Sequence, residues 1–128
     1  MVDDSSPLLL VVEDNEFSRK LIATALNGRR YLFAKNGKEA IGFFEVNKPD
    51  MVFLDIELPD LTGLTVLSEL LKVDPAAFIV MLSANSDKET VVKCIKSGAK
   101  GFIAKPFSKA KVDSYIEKYH SEKKTKSN

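Results

Sequence analysis

The chain has 128 residues, 45% of them apolar and 29% charged, with a formal net charge of +1. That length suits one domain with a substantial buried core, and the near-neutral balance gives no reason to expect nucleic-acid binding. Its single cysteine, Cys94, rules out an intramolecular disulfide and suits a reducing compartment.

In chain order, residues 1–6 read as an N-terminal extension. The start, MVDDSSPLLLVVEDN, is acidic, and Glu13 and Asp14 close its apolar run early, which is wrong for a signal peptide. No stretch approaches the roughly 18–20 apolar residues of a membrane span, so no membrane association is expected and the cytoplasm is the expected location. The first predicted strand is Leu8–Val12, followed by a helix with the stripe Phe17, Leu21, Ala25, Ile22 and Leu26. A second strand, Tyr31–Ala34, leads to Asn36, which can cap a helix containing Ala40, Ile41 and Phe44. The third strand is Met51–Leu54. Thr62 precedes a helix striped by Leu64, Leu67, Leu70 and Leu71. A fourth strand, Phe78–Leu82, is followed by a helix with Val91, Val92 and Ile95, which Gly98 can terminate. The fifth strand, Phe102–Ala104, gives way to a helix that Ser108 can cap, with Val112, Ile116 and Tyr119 inward. The residues HSEKKTKSN read as a solvated end, so the domain spans 7–120 and residues 121–128 are a flexible tail or clipped linker.

The five strands are nearly continuous apolar runs, as parallel strands covered on both faces require. Their starts recur every 20 to 27 residues, about one βα unit. The predicted fold is therefore (βα)5, an open parallel sheet with helices on both faces.

Ligands of such sheets bind beyond the carboxyl ends of the strands. There the first strand delivers Glu13 and Asp14, and the third Asp55, with Glu57 close behind. The fourth delivers Ser83 and the fifth Lys105, followed by Pro106; the second contributes Lys35 and Asn36 at an expected edge. Three converging carboxylates repel one another unless a cation sits among them, and a hard divalent ion such as Mg²⁺ suits them. A lysine and a hydroxyl alongside provide a charge and a donor for phosphoryl oxygens. A carboxylate can also act as a nucleophile and form an aspartyl phosphate. Singly, Glu13 and Asp14 read equally well as the start of a loop and a cap, whereas Asp55 alone is more often a turn residue or cap, Ser83 nearly always structural and Lys105 usually a surface lysine. Their arrival together from separate strand ends is what points to phosphoryl chemistry at Asp55.

With these pieces assembled, LLLVVEDN, MVFLDIELPDLTG, FIVMLSAN and GFIAKPF, the chain resembles a response-regulator receiver domain of two-component signalling, of the chemotaxis-regulator kind, over roughly residues 7–120. The resemblance implies a flavodoxin-like doubly wound sheet of order 2-1-3-4-5. It implies Asp55 as phosphoacceptor, with a sensor histidine kinase or phosphotransfer protein as donor. It also implies Mg²⁺, with Mn²⁺ as a substitute, held by Asp14, Asp55 and the Glu57 backbone carbonyl, with Glu13 acting through water. Lys105 and Ser83 would bind the phosphoryl oxygens, with the backbone of Ala84, a small residue that leaves room for the donor. Phe102 would be the aromatic switch, Lys105–Pro106 a cis bond, and Glu57 and Asn85 the positions that tune phosphoryl lifetime. The face of the fourth helix, fifth strand and fifth helix, near Val91, Lys93, Lys100, Phe102 and Lys111, would meet an output protein or fused domain. Glu13, Ser83 and Phe102 stand where aspartate, threonine and tyrosine are commoner. Phe102, lacking a hydroxyl, would switch by packing alone.

Other classes fit less well. An aspartyl-phosphate phosphatase wants Asp-x-Asp after its first strand, whereas Asp55-Ile56-Glu57 follows the third. No GxxxxGK or GxGxxG is present for a nucleotide, and the one histidine, His120, cannot build a histidine-based site. The rival of a different class is a receiver-like protein-binding module that is never phosphorylated, which usually lacks one of the acidic pair, the acceptor or the lysine. An enzyme acting on other molecules is not expected; catalysis would be limited to the domain's own phosphorylation and slow dephosphorylation.

Overall fold

The computed structural model describes residues 6–127, with side chains from Ser6 to Lys123. Residues 1–5 of the expected N-terminal extension, and Asn128 at the end of the expected tail, lie outside the described residues. Five strands alternate with five helices: β1 Leu8–Val12, α1 Glu16–Ala25, β2 Arg30–Ala34, α2 Gly37–Asn47, β3 Met51–Asp55, α3 Gly63–Val73, β4 Phe78–Ser83, α4 Lys88–Lys96, β5 Gly101–Ala104 and α5 Lys109–Ser127. All neighbouring strands are parallel, in the order β2-β1-β3-β4-β5. Both the (βα)5 class and the strand order agree with expectation.

Successive strand residues point to opposite faces, and the core divides accordingly. Leu10, Val12, Val52, Leu54, Ile79 and Met81 face α2, α3 and α4, where they meet Phe44, Val66, Leu67, Leu70 and Cys94. Leu9, Val11, Phe53, Val80 and Leu82 face α1 and α5, where they meet Ile22, Leu26, Val112 and Ile116. Every residue of β3 and β4 is buried, so the sequence there cannot alternate. Asp55 and Ser83 are thus the last residues of two wholly buried strands, which fixes where their side chains emerge.

The helix caps follow the local chemistry. Asn36 accepts from Glu39 N–H at 2.8 Å, Thr62 from Thr65 N–H at 3.2 Å, and Ser108 from Lys111 N–H at 3.3 Å. Gly98 follows α4 with φ +110°, a backbone state in which a side chain would be strained.

Two expectations need correcting. Phe17 and Leu21, read as members of the inward stripe of α1, are 71% and 45% exposed, and the helix packs through Ile22, Ala25 and Leu26 instead. On α4, Val92 and Ile95 face outward, and Cys94 is the residue buried against the sheet. The last helix, α5, runs on to Ser127 through most of the stretch read as a tail or linker. No proline or glycine interrupts KAKVDSYIEKYHSEKKTKS, and Glu122 lies 3.9 Å from Lys100, so the helix has both the propensity and an ionic contact to persist. No helix among the described residues is long and apolar enough to cross a membrane.

Candidate functional site

The carboxyl ends of β1, β3, β4 and β5 bring Glu13, Asp14, Asp55, Ser83 and Lys105 to one mouth. Glu13 and Asp55 are buried, at 0% and 3% exposure, whereas Asp14 is exposed. One carboxylate oxygen from each of the three lies within 4.8 Å of the others. Lys105 Nζ reaches between two of them, 2.8 Å from Glu13 Oε1 and 2.8 Å from Asp55 Oδ2.

Local turns aim these groups. Asn15 N–H donates to Glu13 Oε2 at 3.2 Å, and Glu57 N–H donates to Asp55 Oδ1 at 3.0 Å. Ser83 Oγ accepts from Asn85 N–H at 3.0 Å, and the Lys105 amide donates to the Ser83 carbonyl at 2.9 Å, tying the ends of β4 and β5 together. The Lys105–Pro106 bond is cis. Phe102 is half-buried in β5, and Ala84, Asn85 and Glu57 are exposed at the mouth.

Electrostatics at the mouth are set by burial first. Desolvation raises the pKa of Glu13 above its ordinary 4.5; Asp55 adds to the rise, and Lys105 opposes it. Burial works against the Lys105 ammonium, but its hydrogen bonds and charge interactions with Asp55 and Glu13 together prevail and raise its pKa above 10.5. Two buried carboxylates are therefore held beside one cation. The donor set, all hard carboxylate oxygens with one exposed member, fits Mg²⁺.

Three supporting residues escaped the sequence reading. Arg19, on α1, donates from Nη1 to the Glu13 and Asp14 carbonyls at 3.0 and 2.8 Å, clamping the acidic turn from behind. Asp60 accepts from Gly37 N–H at 2.8 Å and Lys38 N–H at 3.0 Å, pinning the loop after Asp55 to the start of α2. Those backbone donors, Gly37 foremost, hold the Asp60 carboxyl below its ordinary 3.8. Gly63 sits where α3 begins, its N–H 2.6 Å from the Ile56 carbonyl. The only forewarning in the sequence was its place in the stretch LPDLTG.

A methyl group at Gly63 would overlap the Asp55 carbonyl oxygen and lie 2.5 Å from Ile56 Cα. Both obstacles are backbone, so neither can swing aside. Gly63→Ala is expected to lose about 1–3 kcal/mol of stability in urea denaturation followed by circular dichroism, and to weaken Mg²⁺ binding as the loop shifts. Wild-type values for both would show that the loop yields freely.

The chain matches the response regulator receiver domain family over residues 9–117. It belongs to that family. It is 39% identical over 113 residues to the chemotaxis protein CheY of Listeria monocytogenes, covering 86% of this chain and 95% of that one. Against CheY of Thermotoga maritima the identity is 35%, covering 86% and 94%. Among solved structures, the CheX–CheY–BeF3–Mg²⁺ complex of Borrelia burgdorferi matches with a TM-score of 0.80 at 32% identity, over 85% of each chain. A receiver domain protein of Clostridium thermocellum matches with a TM-score of 0.86 at 25% identity, over 93% and 98%. Receiver domains of this family are signalling switches.

Proposed function

We propose that this receiver takes a phosphoryl group onto Asp55 from the phosphohistidine of a sensor kinase or phosphotransfer protein. An Asp55 carboxylate oxygen attacks phosphorus, the P–N bond breaks with its electron pair going to the imidazole nitrogen, and a P–O bond forms. The observation that carries this is Lys105 Nζ 2.8 Å from a buried Asp55 oxygen, beside Glu13 and Asp14. Asp14, Asp55 and the Glu57 carbonyl, with Glu13 through water, would hold Mg²⁺ or Mn²⁺, which supplies charge to offset that of the phosphoryl oxygens. Lys105, the Ser83 hydroxyl and the Ala84 amide bind those oxygens, and the exposed Glu57 and Asn85 influence how long the adduct survives.

Phosphorylation then acts by population shift. The added charge and acceptor oxygens favour the arrangement in which Ser83 and Lys105 bind them. Phe102 follows in β5, and the α4–β5–α5 face changes for an output partner. The exposed Phe17 and Leu21, with Pro106 and Phe107, line a groove of about 310 Å³ that shares Glu13 and Lys105 with the site, and the protein donor covers it as it presents its phosphohistidine. Residues 7–120 constitute the receiver, and the remaining turns of α5 lead out of it as a linker or a free end.

Incubation with acetyl phosphate, read by intact mass, tests the phosphoacceptor. One phosphoryl group is expected with Mg²⁺ and none after its removal by chelation. No adduct in either condition, with the fold intact and decay slow enough to catch one, would instead favour a module that works by protein contacts alone.

A further inference from the structure

As an outer strand of the sheet, β5 has one side of its backbone with no strand to pair with among the described residues. Bare strand edges invite pairing with other chains, and proteins cover them. Here the cover is a row of α5 side chains. Lys118 Nζ donates to the Lys100 carbonyl at 3.2 Å, and Lys111 Nζ to the Ala104 carbonyl at 3.3 Å. Between them the Tyr115 hydroxyl accepts from Phe102 N–H at 3.1 Å and donates to the Phe102 carbonyl at 3.2 Å.

The two periodicities mesh. Residues 111, 115 and 118 form one helical stripe, and residues 100, 102 and 104 are alternate positions along an extended chain. Tyr115 offers Phe102 the donor and acceptor that a residue of a sixth strand would offer. Its ring lies where a Cβ at position 101 would be, which accounts for Gly101.

The strand so pinned ends at the phosphoryl site. Lys105 lies three residues after Phe102; its amide is bonded to the Ser83 carbonyl, and its Nζ is shared by Glu13 and Asp55. Ser83 Oγ is engaged by the Asn85 amide. Both side chains serve the phosphoryl group, and the amide bond between Lys105 and Ser83 couples any shift at the end of β4 to the end of β5.

We propose that Tyr115 is a positioning residue for that response. Its hydroxyl holds β5 in the arrangement in which Lys105 bridges the two carboxylates, and so opposes the arrangement that grips a phosphoryl group. The proposal rests on Asp55 being the phosphoacceptor. Tyr115→Phe keeps the ring and removes both bonds to Phe102, which shifts the balance toward the gripping arrangement.

Beryllofluoride with Mg²⁺ is the probe, titrated into wild type and Tyr115→Phe and followed through backbone amide resonances. The variant is expected to bind it about three- to tenfold more tightly, as two modest net hydrogen bonds allow, with faster hydrogen exchange at the Phe102 amide. A lower melting temperature and faster exchange with unchanged affinity would mean that Tyr115 only braces the fold, and would overturn the proposal. Should the variant unfold, Lys111→Met removes the neighbouring bond to Ala104 and is expected to tighten binding by a smaller factor; unchanged affinity there overturns it equally. Failure of wild type to bind beryllofluoride would overturn the phosphoacceptor assignment and this inference with it, whereas equal binding by wild type and variant overturns this inference alone.

Discussion

Asp55→Asn is expected to gain no phosphoryl group from acetyl phosphate under conditions that modify the wild type, while remaining folded. The amide has almost no nucleophilicity toward phosphorus and carries no charge. It also removes one hard anionic oxygen from the three that converge with Glu13 and Asp14, so Mg²⁺ binding is expected to weaken as well. Stability should change little, because two effects oppose each other. Lys105 loses one charged partner but keeps Glu13 at 2.8 Å. Glu13 meanwhile loses the like charge that adds to its raised pKa. Intact mass and thermal denaturation check the two halves separately. An adduct that persists in the variant would move the acceptor elsewhere, to exposed Asp14 or to Ser83, and remove the basis for the proposed switch.

What was legible in the sequence, and what was not, has a common physical cause. Strand positions came through because buried parallel strands are short apolar runs that little else imitates, and the site followed because ligands gather at their carboxyl ends. Asn36, Thr62 and Ser108 were legible as caps because capping depends on chemistry within three residues. Outward-facing apolar residues were not. Phe17 and Leu21 share a helical stripe with Ile22 and Ala25, and only the position of the sheet decides which edge of the stripe is covered. Gly63 and Tyr115 were missed for a related reason. Each matters through a contact with the backbone of a distant segment, Asp55 in one case and Phe102 in the other, and backbone contacts leave no pattern in side-chain chemistry.

Lys105→Met is expected to be the most destabilising of these substitutions. The methionine fills a similar volume but leaves Glu13 and Asp55 facing each other at 1% and 5% side-chain exposure with no cation between them. Removing one partner from a buried ionic cluster usually costs several kcal/mol, and since the lysine is itself 25% exposed we expect about 2–4 kcal/mol in Mg²⁺-free buffer. Two conditions should return part of that loss. Mg²⁺ replaces the missing positive charge, so the rise in melting temperature on its addition should be larger in the variant than in wild type, where Lys105 competes for the same oxygens. Acid should help in a different way. Without Lys105 to oppose burial, the folded-state pKa of Glu13 moves further above 4.5. A carboxyl whose pKa is raised by folding weakens the folded state above that pKa, and the penalty is relieved as pH falls through it toward the unfolded value. The stability gap between Lys105→Met and wild type should therefore narrow in chelator as pH falls from neutral toward the ordinary 4.5 of Glu13. A gap independent of both pH and Mg²⁺ would mean that the lysine acts by packing alone, and that the acidic cluster is not the charge trap on which phosphoryl binding at Asp55 depends.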